Sequence, residues 1–376
     1  MNSDENLIFQ KQTVMKIDAS AIAHNVQVIR ETIGSARLIA VIKENGYGMG
    51  LKREYDILKN LNINFFAVTN ANEALALRRF GCKEDILLMS PSFEKEEAAE
   101  LLQNNIIFML CSMKQAVLLK ELADETRLTP RVHLAIETGM GRYGFLWNRI
   151  PDLSALPAFL KIEGCYSHLN GKPSGYEKEA RRQLERLLTA TESLKKQGID
   201  PGIRHICNSA ATMSLGSLGL DAVRCGSAII GKCARGGSRL KNAVWLEAPI
   251  CMVAELPKGS TIGYQACAVL KRDSRLGLVR AGHGDGIMLG YADNPEPLIH
   301  GVIHLTAVKL LKNRYRKTVL VTGHNGKKAR VPYVGRSGVA HVMIDLTDTS
   351  FAEGDMVQFH VNPLFVHPSI PKEVES

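Results

Sequence analysis

A lysine at the end of an apolar run, with glycines behind it, forms the first group of residues that could do chemistry. Lys43 follows Leu38–Ile42 and precedes Tyr47 and three glycines, at positions 46, 48 and 50. An amine beside apolar side chains is favoured in its neutral, nucleophilic form; the alternative is a lysine that extends its charge into solvent. Glycines at this density permit close backbone approach to a bound group. The segment therefore favours a reactive amine beside a ligand.

Two pairs of small polar residues favour an anion nearby. Asn208-Ser209 ends a predicted strand and opens a helical stretch, where unpaired backbone amides attract negative charge. Gly226-Ser227 offers similar donors after the next predicted strand. Ordinary helix capping is the alternative role for Ser209. Together with the lysine and the tyrosine above, these donors suit an aldehyde that carries a phosphate, which describes pyridoxal 5'-phosphate.

The strands and helices that precede these residues must position them. Up to about residue 240, the sequence alternates apolar runs with segments of helical periodicity. The clearest helices are predicted at Ser20–Thr32 and Glu177–Lys196, where Leu184, Leu187, Leu188 and Leu194 share a face. Eight strands, each followed by a helix or loop, predict an α/β fold with a parallel (β/α)8 barrel of the TIM type, and a doubly wound open sheet is the alternative. The predicted strands are Ala36–Lys43, Phe65–Thr69, Ile86–Ser90, Ile106–Cys111, Arg131–Glu137, Ile162–His168, Ile203–Cys207 and Ala222–Cys225.

The pattern changes after Leu240, where short strands between turn residues replace the helical periods. We interpret residues 14–240 as the barrel, residues 241–376 as a C-terminal all-β domain, and Pro363–Ser376 as an extended surface segment. The predicted strands of the β domain are Val244–Leu256, Ala268–Arg280, Val302–Leu311, Lys317–Thr322, Val339–Leu346 and Asp355–Val361.

Composition and charge narrow the class of protein. The 376 residues are 45% apolar and 23% charged, and no run approaches the ~18 apolar residues of a membrane span. The first residues lack the basic end and apolar core of a signal peptide, so a cytoplasmic location is expected. The net charge of +9 is scattered, which favours pockets for phosphates and carboxylates over nucleic-acid binding. The eight cysteines include no Cys-x-x-Cys pair, which argues against a metal site and against a disulfide framework.

The segment at 40–50, Ala-Val-Ile-Lys-Glu-Asn-Gly-Tyr-Gly-Met-Gly, resembles the cofactor-lysine signature of the alanine racemase family, whose members are fold type III pyridoxal-phosphate enzymes. The similarity extends from Val14–Asn25 to Met343–Asp348. This resemblance implies an amino-acid racemase with a barrel and a β domain. It also implies a homodimer whose two active sites are shared between subunits.

The resemblance assigns roles residue by residue. Lys43 would bind the cofactor covalently and act as the base for the D-enantiomer. Tyr264, in Thr-Ile-Gly-Tyr-Gln-Ala, would be the base for the L-enantiomer, contributed by the neighbouring subunit; a strand tyrosine that covers the core is the alternative. Arg142 would contact the phenolic oxygen of the cofactor, and Arg224 would donate to its pyridine nitrogen, with His168 behind Arg224. The phosphate would be held by Tyr47, Ser209, Gly226 and Ser227, with Asn208 beside them.

Four departures from the family pattern concern the site. Ala135 stands where the family often has a carboxylated lysine, so Arg142 loses an anionic partner that Glu137 or a bound anion could replace. The family's Cys-Met-Asp in its Gly-Arg-x-Cys-Met-Asp segment reads Gly338-Val339-Ala340 here, and a family tyrosine is replaced by His283. The tyrosine expected near the C-terminus has no counterpart in residues 365–376.

These departures predict a substrate pocket that is wider or differently polar than that of an alanine enzyme. Arg142, Val339, Ala340 and His283 are its predicted substrate contacts, with alanine as the default substrate and a larger amino acid as a candidate. Two other functions stay open: a pyridoxal-phosphate decarboxylase on the same fold, and a paralogue that binds the cofactor without turnover.

Overall fold

The structure, a computed structural model, describes residues 12–171, 174–287 and 318–375 and contains two compact units. Numbered along the chain, its strands are β1 (Val14–Asp18), β2 (Arg37–Val41), β3 (Phe65–Val68), β4 (Asp85–Leu88), β5 (Ile107–Leu110), β6 (Arg131–Glu137), β7 (Phe145–Leu146), β8 (Lys161–Tyr166), β9 (Ile203–His205), β10 (Ala222–Cys225), β11 (Val244–Leu256), β12 (Thr261–Ile262), β13 (Ala268–Val269), β14 (Ser274–Val279), β15 (Thr318–Thr322), β16 (Lys328–Val334), β17 (Val342–Asp345), β18 (Met356–Phe359) and β19 (Lys372–Glu375).

The α-helices all lie in the unit Ala19–Ala243 as far as the structure describes the chain, and none of them is long and apolar enough to cross a membrane. They are α1 (Ala19–Ile33), α2 (Glu44–Tyr47), α3 (Leu51–Asn60), α4 (Ala71–Arg79), α5 (Lys95–Gln103), α6 (Met113–Thr126), α7 (Tyr176–Lys196) and α8 (Ser209–Leu215).

The unit Ala19–Ala243 is a closed barrel of eight parallel strands. Its order is β2-β3-β4-β5-β6-β8-β9-β10, and β10 pairs again with β2. Each strand overlaps one of the predicted strands, which confirms the (β/α)8 barrel and makes the open sheet wrong. The strands are apolar runs because helices cover the barrel on the outside while the inside is packed. An apolar part of the interior is filled by Ile39, Val41, Phe65, Ala67, Leu87, Ile107 and Ala222.

Helix α7 confirms the predicted amphipathic segment. Leu187 and Leu194 are fully buried, whereas Leu184 and Leu188 are only half-buried, so the packed face is centred on the first pair. The basic and acidic side chains of the opposite face form ion pairs three or four residues apart, such as Arg181 with Glu177. Such exposed pairs contribute little to stability, and the helix is therefore held by its apolar face.

The second unit, built from the residues up to Asp18 and from Val244 onward, is a β domain. Its central strand is β11, which matches the predicted Val244–Leu256 and pairs with β1, β14 and β18. The strands β11-β14-β17-β16-β15-β18 form an antiparallel ring, because β14 and β18 both pair with β11. The predicted strand Ala268–Arg280 is two strands, β13 and β14. The predicted strand Val302–Leu311 lies outside the described residues.

Both ends of the described chain depart from the prediction. Residues 14–18, which were assigned to the barrel, form β1, which pairs antiparallel with β11 and parallel with β19. Its alternating burial, with Met15 and Ile17 inside, is typical of a sheet with one solvated face and not of a barrel strand buried on both sides. The tail is likewise not only an extended surface segment: β19 is an edge strand, and Lys16 forms ion pairs with Glu373 and Glu375 across β1 and β19.

A buried asparagine fixes the start of the barrel unit to its end. Asn25, on α1, is 0% exposed, and its amide nitrogen donates to the carbonyl oxygens of Ile229 and Lys241 at 2.9 and 2.8 Å. Its side-chain oxygen accepts the N–H of Lys241 at 2.7 Å. Three backbone groups that have no strand or helix partner are thus satisfied by one side chain.

We expect Asn25→Leu to lower the free energy of unfolding by about 3 kcal/mol or more, because each buried polar group left unpaired costs about 1–3 kcal/mol. Urea denaturation followed by circular dichroism measures this loss. Gln27→Leu is the matched control, since Gln27 lies exposed on the same helix and should change stability by less than about 0.5 kcal/mol. Equal urea midpoints for the two variants would contradict the assignment.

Candidate active site

A cavity of about 450 Å³ in the barrel unit contains nine of the predicted site residues. All eight parallel strands end on the same side, so the side chains that follow them converge there. The cavity is lined by Lys43, Tyr47, Arg142, His168, Asn208, Ser209, Arg224, Gly226 and Ser227, among others. The remaining four predicted residues, Tyr264, His283, Val339 and Ala340, lie in the β domain.

The loop after β2 holds Lys43 by its backbone. Lys43 is half-buried, and its carbonyl oxygen accepts the N–H of Tyr47 at 2.7 Å. Asn45 and Gly46 have positive φ angles of 53° and 63°. These angles turn the backbone sharply between Lys43 and Tyr47. The carboxylate of Glu73 accepts the N–H of Asn45 at 2.9 Å and anchors this turn from α4. The amine and the phenol are therefore presented to one cavity by a short, hydrogen-bonded loop.

A cradle of small groups lies beside Tyr47, with Gly226 directly against its hydroxyl. The hydroxyl oxygen of Ser209 accepts the N–H groups of Gly226 and Ala228, both at 3.2 Å, which leaves its own hydrogen to donate. A Cβ atom on Gly226 would lie 2.1 Å from the hydroxyl oxygen of Tyr47. Only glycine allows this approach. The hydroxyl groups of Ser209 and Tyr47, beside the backbone of a glycine, form a set of donors that suits a phosphate group.

Asn208, and not Ser209, is the capping residue of α8. Its side-chain oxygen accepts the N–H of Ala211 at 3.1 Å, and its amide nitrogen donates to the carbonyl oxygen of Leu169 at 3.3 Å. The capping alternative that the sequence left open for Ser209 is therefore wrong. Asn208 fixes the start of the helix, and the Ser209 hydroxyl is left for the cavity.

Arg224 is a buried cation at the inner end of the cavity, with 3% exposure. Its guanidinium donates to Nδ1 of His205 at 2.5 Å and to the carbonyl oxygen of Ser167 at 2.7 Å, and it lies 3.4 Å from Nδ1 of His168. The guanidinium carbon lies 5.0 Å from the centre of the Tyr166 ring. Desolvation lowers the pKa of Arg224 from its usual value. His205 is thus a nearer partner than the predicted His168.

His168 lies between the cationic residues of the cavity as a neutral imidazole. Burial, reinforced by the charges of Arg224, Arg142 and Lys43, lowers the pKa of His168 to about 3. Because an arginine can only donate, Nδ1 of His168 is the acceptor toward Arg224 and the ring hydrogen is on Nε2. The imidazole can therefore donate a hydrogen bond from Nε2.

The loop after β6 presents Arg142 through the carboxylate of Glu137. The two oxygens of Glu137 accept the N–H groups of Gly139, Gly141 and Arg142 at 2.5, 2.8 and 3.0 Å. The expectation that Glu137 could pair with the Arg142 side chain is therefore wrong, since its oxygens bind the backbone. The exposed Arg142 guanidinium lies 5.6 Å from the centre of the Tyr143 ring.

Sequence reasoning missed His133, Tyr166 and His205, which fill the polar half of the barrel. Ala135 packs with Met109 and Tyr166, so the tyrosine ring lies beside the position where the family often has a lysine. A histidine at an inward position of a barrel strand was a possible signal, because polar side chains there need a partner. The partner itself comes from another strand and has no local pattern.

In the β domain, three of the predicted residues lie on one surface. The N–H groups of His283 and Gly284 donate to the carbonyl oxygens of Gly338 and Val339 at 3.0 and 2.9 Å. This contact brings exposed His283, Val339 (63% exposed) and Ala340 together. Tyr264 begins a short turn after Gly263, whose φ of 74° favours glycine.

A closed barrel with a lysine after its first strand, followed by a separate β domain, defines the class of fold type III pyridoxal-phosphate enzymes. The sequence profile of the alanine racemase N-terminal domain matches residues 17–233, and that of the alanine racemase C-terminal domain matches residues 243–363. The chain therefore belongs to the alanine racemase family of isomerases. The family resemblance is confirmed, and so is the predicted cofactor, because this family depends on pyridoxal phosphate.

Individual relatives support this assignment. Alanine racemase of Clostridium tetani is 31% identical over 295 residues, 76% of each chain, and alanine racemase 2 of Caldanaerobacter subterraneus is 26% identical over 358 residues, 92% of this chain and 85% of the relative. The alanine racemase structure from Streptomyces lavendulae has a TM-score of 0.77 at 23% identity and covers 98% of both chains. That from Clostridium difficile has a TM-score of 0.77 at 20% identity, with 98% and 96% covered. These structures confirm the fold.

The residues of the cavity fit pyridoxal phosphate. Lys43 would supply the amine for its aldehyde, and the hydroxyls of Tyr47 and Ser209, which lie beside the side-chain-free backbone of Gly226, would hold its phosphate. Arg224 would supply a donor for its ring nitrogen.

We expect Gly226→Ala to raise the dissociation constant for pyridoxal phosphate about tenfold or more, a loss of about 1.4 kcal/mol, because the added methyl group must displace Tyr47. Titration of the cofactor-free protein, followed by visible absorbance, measures this constant. Gly323→Ala is the control in the β domain, where the methyl group meets first a side-chain oxygen of Asn325 at 3.0 Å. An unchanged dissociation constant in Gly226→Ala would refute the phosphate cradle.

Proposed function

We propose that the protein interconverts L- and D-alanine by a two-base mechanism, with Lys43 and Tyr264 as the bases. The observation that carries this proposal is the common cavity of Lys43, Arg224 and the Ser209–Gly226 cradle in a member of the alanine racemase family. Racemisation requires that a proton leave Cα on one face and return on the other. Two bases must therefore flank one plane.

The two bases differ in origin. Lys43 would exchange the proton of the D-enantiomer at its amine nitrogen. The phenolic oxygen of Tyr264 would serve the L-enantiomer, and we propose that it comes from a second copy of the chain. The protein would then act as a homodimer with shared active sites. Its partners are this second copy and a small amino acid, and we place its action in the cytoplasm.

Pyridoxal phosphate, when bound, supplies an electron-withdrawing group that weakens the Cα–H bond. The protein limits that withdrawal through Arg224, which stays protonated and can only donate to the ring nitrogen. A ring nitrogen that remains unprotonated weakens the electron sink, which disfavours transamination. His168 would orient the Tyr264 hydroxyl by donating from Nε2, and Arg142 would contact the phenolic oxygen of the cofactor and the carboxylate of the substrate.

We expect the enzyme in deuterated water to racemise both alanine enantiomers with exchange at Cα, and Lys43→Ala to abolish this. Tyr264→Phe should slow racemisation at least about a hundredfold, the usual contribution of a positioned acid or base. It should still exchange the α-proton of D-alanine without inversion, since Lys43 serves that face. Proton NMR and chiral chromatography separate exchange from inversion.

Tyr333→Phe is the matched control, because Tyr333 lies on β16 of the same domain as Tyr264 and has no proposed role. Release of CO2 from the amino acid would identify a decarboxylase instead. A cofactor that binds without exchange or CO2 release would identify a non-catalytic paralogue. Retained inversion in Tyr264→Phe would refute the second base.

We also propose that the substrate pocket admits amino acids larger than alanine, supported by the small Ala340 and by the exposed surface that it shares with His283 and Val339. Since one methylene in an apolar pocket changes discrimination by only about 1–3 kcal/mol, kcat/KM for an amino acid one methylene larger should lie within about two hundredfold of the value for alanine. Ala340→Asp should reduce turnover of the larger substrates more than that of alanine. A panel of L-amino acids tests this, and activity on alanine alone would contradict it.

A further inference from the structure

A chain of hydrogen bonds crosses the barrel interior behind the cavity. It starts at Arg224 on β10, whose Nη1 lies 2.5 Å from Nδ1 of His205 on β9, and continues from Nε2 of His205 to Nδ1 of His133 on β6 at 2.9 Å. His205 is 0% exposed and His133 is 1% exposed. Three strands are thus linked by side chains that water does not reach.

The arginine determines the direction of this chain. A guanidinium has no acceptor, so Nδ1 of His205 must accept from Arg224. A neutral imidazole that accepts at one nitrogen carries its hydrogen on the other, so Nε2 of His205 donates to His133. Nδ1 of His133 must then be the acceptor. One choice of tautomer at each ring satisfies all three groups, and the opposite tautomer of His205 would place two donors face to face.

Both imidazoles are neutral. Burial lowers the pKa of His133 to about 3 and lowers the pKa of His205 well below its usual value, and the nearby charge of Arg224 acts on both in the same direction. The hydrogen-bonded imidazoles therefore orient Arg224 without adding a second charge to the barrel interior.

Packing holds both rings in place. The ring of Tyr166 is stacked on His205, with the ring centres 4.9 Å apart and the planes 3° from parallel. Phe65 meets His133 edge to face at 5.8 Å. A Cβ atom on Gly164 would lie 2.6 Å from the ring of His133, so the backbone of β8 closes directly over this histidine. Neither ring can rotate away from its partner without displacing a neighbour.

We propose that His133 is a positioning residue for the reaction: as the terminal acceptor, it takes the Nε2 hydrogen of His205, stabilises the tautomer that Arg224 requires and thereby holds Arg224 at the cofactor. The effect on catalysis rests on the proposed racemase function, whereas the direction of the hydrogen bonds does not. Although His133 never touches the cofactor or the substrate, its loss should loosen the residue that contacts the ring nitrogen.

Two variants of similar size test this proposal. His133→Gln retains an acceptor for His205, and His133→Leu removes it. In the holoenzyme, His133→Leu should lower kcat for alanine about tenfold with little change in KM, and should increase the share of cofactor lost to transamination; His133→Gln should stay within about threefold of the unchanged protein. Thermal unfolding of the two variants separates these effects from a general loss of stability. Equal losses in Gln and Leu variants would overturn the proposal.

The tautomers can be measured without any variant and without turnover. Nitrogen-15 NMR of the unchanged holoenzyme should show Nδ1 unprotonated and Nε2 protonated in both His133 and His205. In His133→Leu the spectrum of His205 should change, and in His133→Gln it should not. A protonated Nδ1 on either ring of the unchanged protein would refute the proposed direction of the hydrogen bonds. Because this result does not depend on racemisation, it distinguishes failure of the proposed hydrogen-bond chain from failure of the proposed function.

Discussion

A guanidinium held inside a barrel without a carboxylate is the constraint on which the site depends. Within the described residues no ion pair joins Arg224 to an acid, so its charge must be stabilised by neutral acceptors and by the face of an aromatic ring. The acceptors and the ring lie on or directly after β8 and β9, so the ends of these two strands must lie beside the guanidinium. A carboxylate there would neutralise the cation and weaken its preference for an electron-rich nitrogen in the cavity.

This constraint divides the barrel interior into two halves. Strands β2 to β5 fill their half with apolar side chains such as Val41 and Ala67, which need no specific partner. Strands β6, β8, β9 and β10 contribute a polar half, in which His205 is satisfied by Arg224 and His133 on other strands. The buried hydroxyl of Tyr166 has no hydrogen-bond partner among the described residues. The apolar half provides the stability of the fold, and the polar half provides the orientation of the site.

The sequence is informative where a residue acts through its own segment. The apolar runs of the barrel strands and the Gly46–Gly50 loop are local patterns, and they led to the strands and to Lys43. The roles of His133 and Glu137 are not local, since each depends on which donors another strand or a folded loop brings near. The pairing of β1 with β19 joins residues more than 350 positions apart, so neither strand alone indicates it.

The charges around the cavity favour anionic groups. Lys43, Arg142 and Arg224 all line it, and each of their charges acts on His168. The one carboxylate among its described lining residues, that of Glu137, is engaged by three backbone N–H groups and is thereby partly neutralised. The cavity therefore carries excess positive charge in a partly buried setting, where charges are screened weakly. In the proposed function, a phosphate and an amino-acid carboxylate would satisfy this charge.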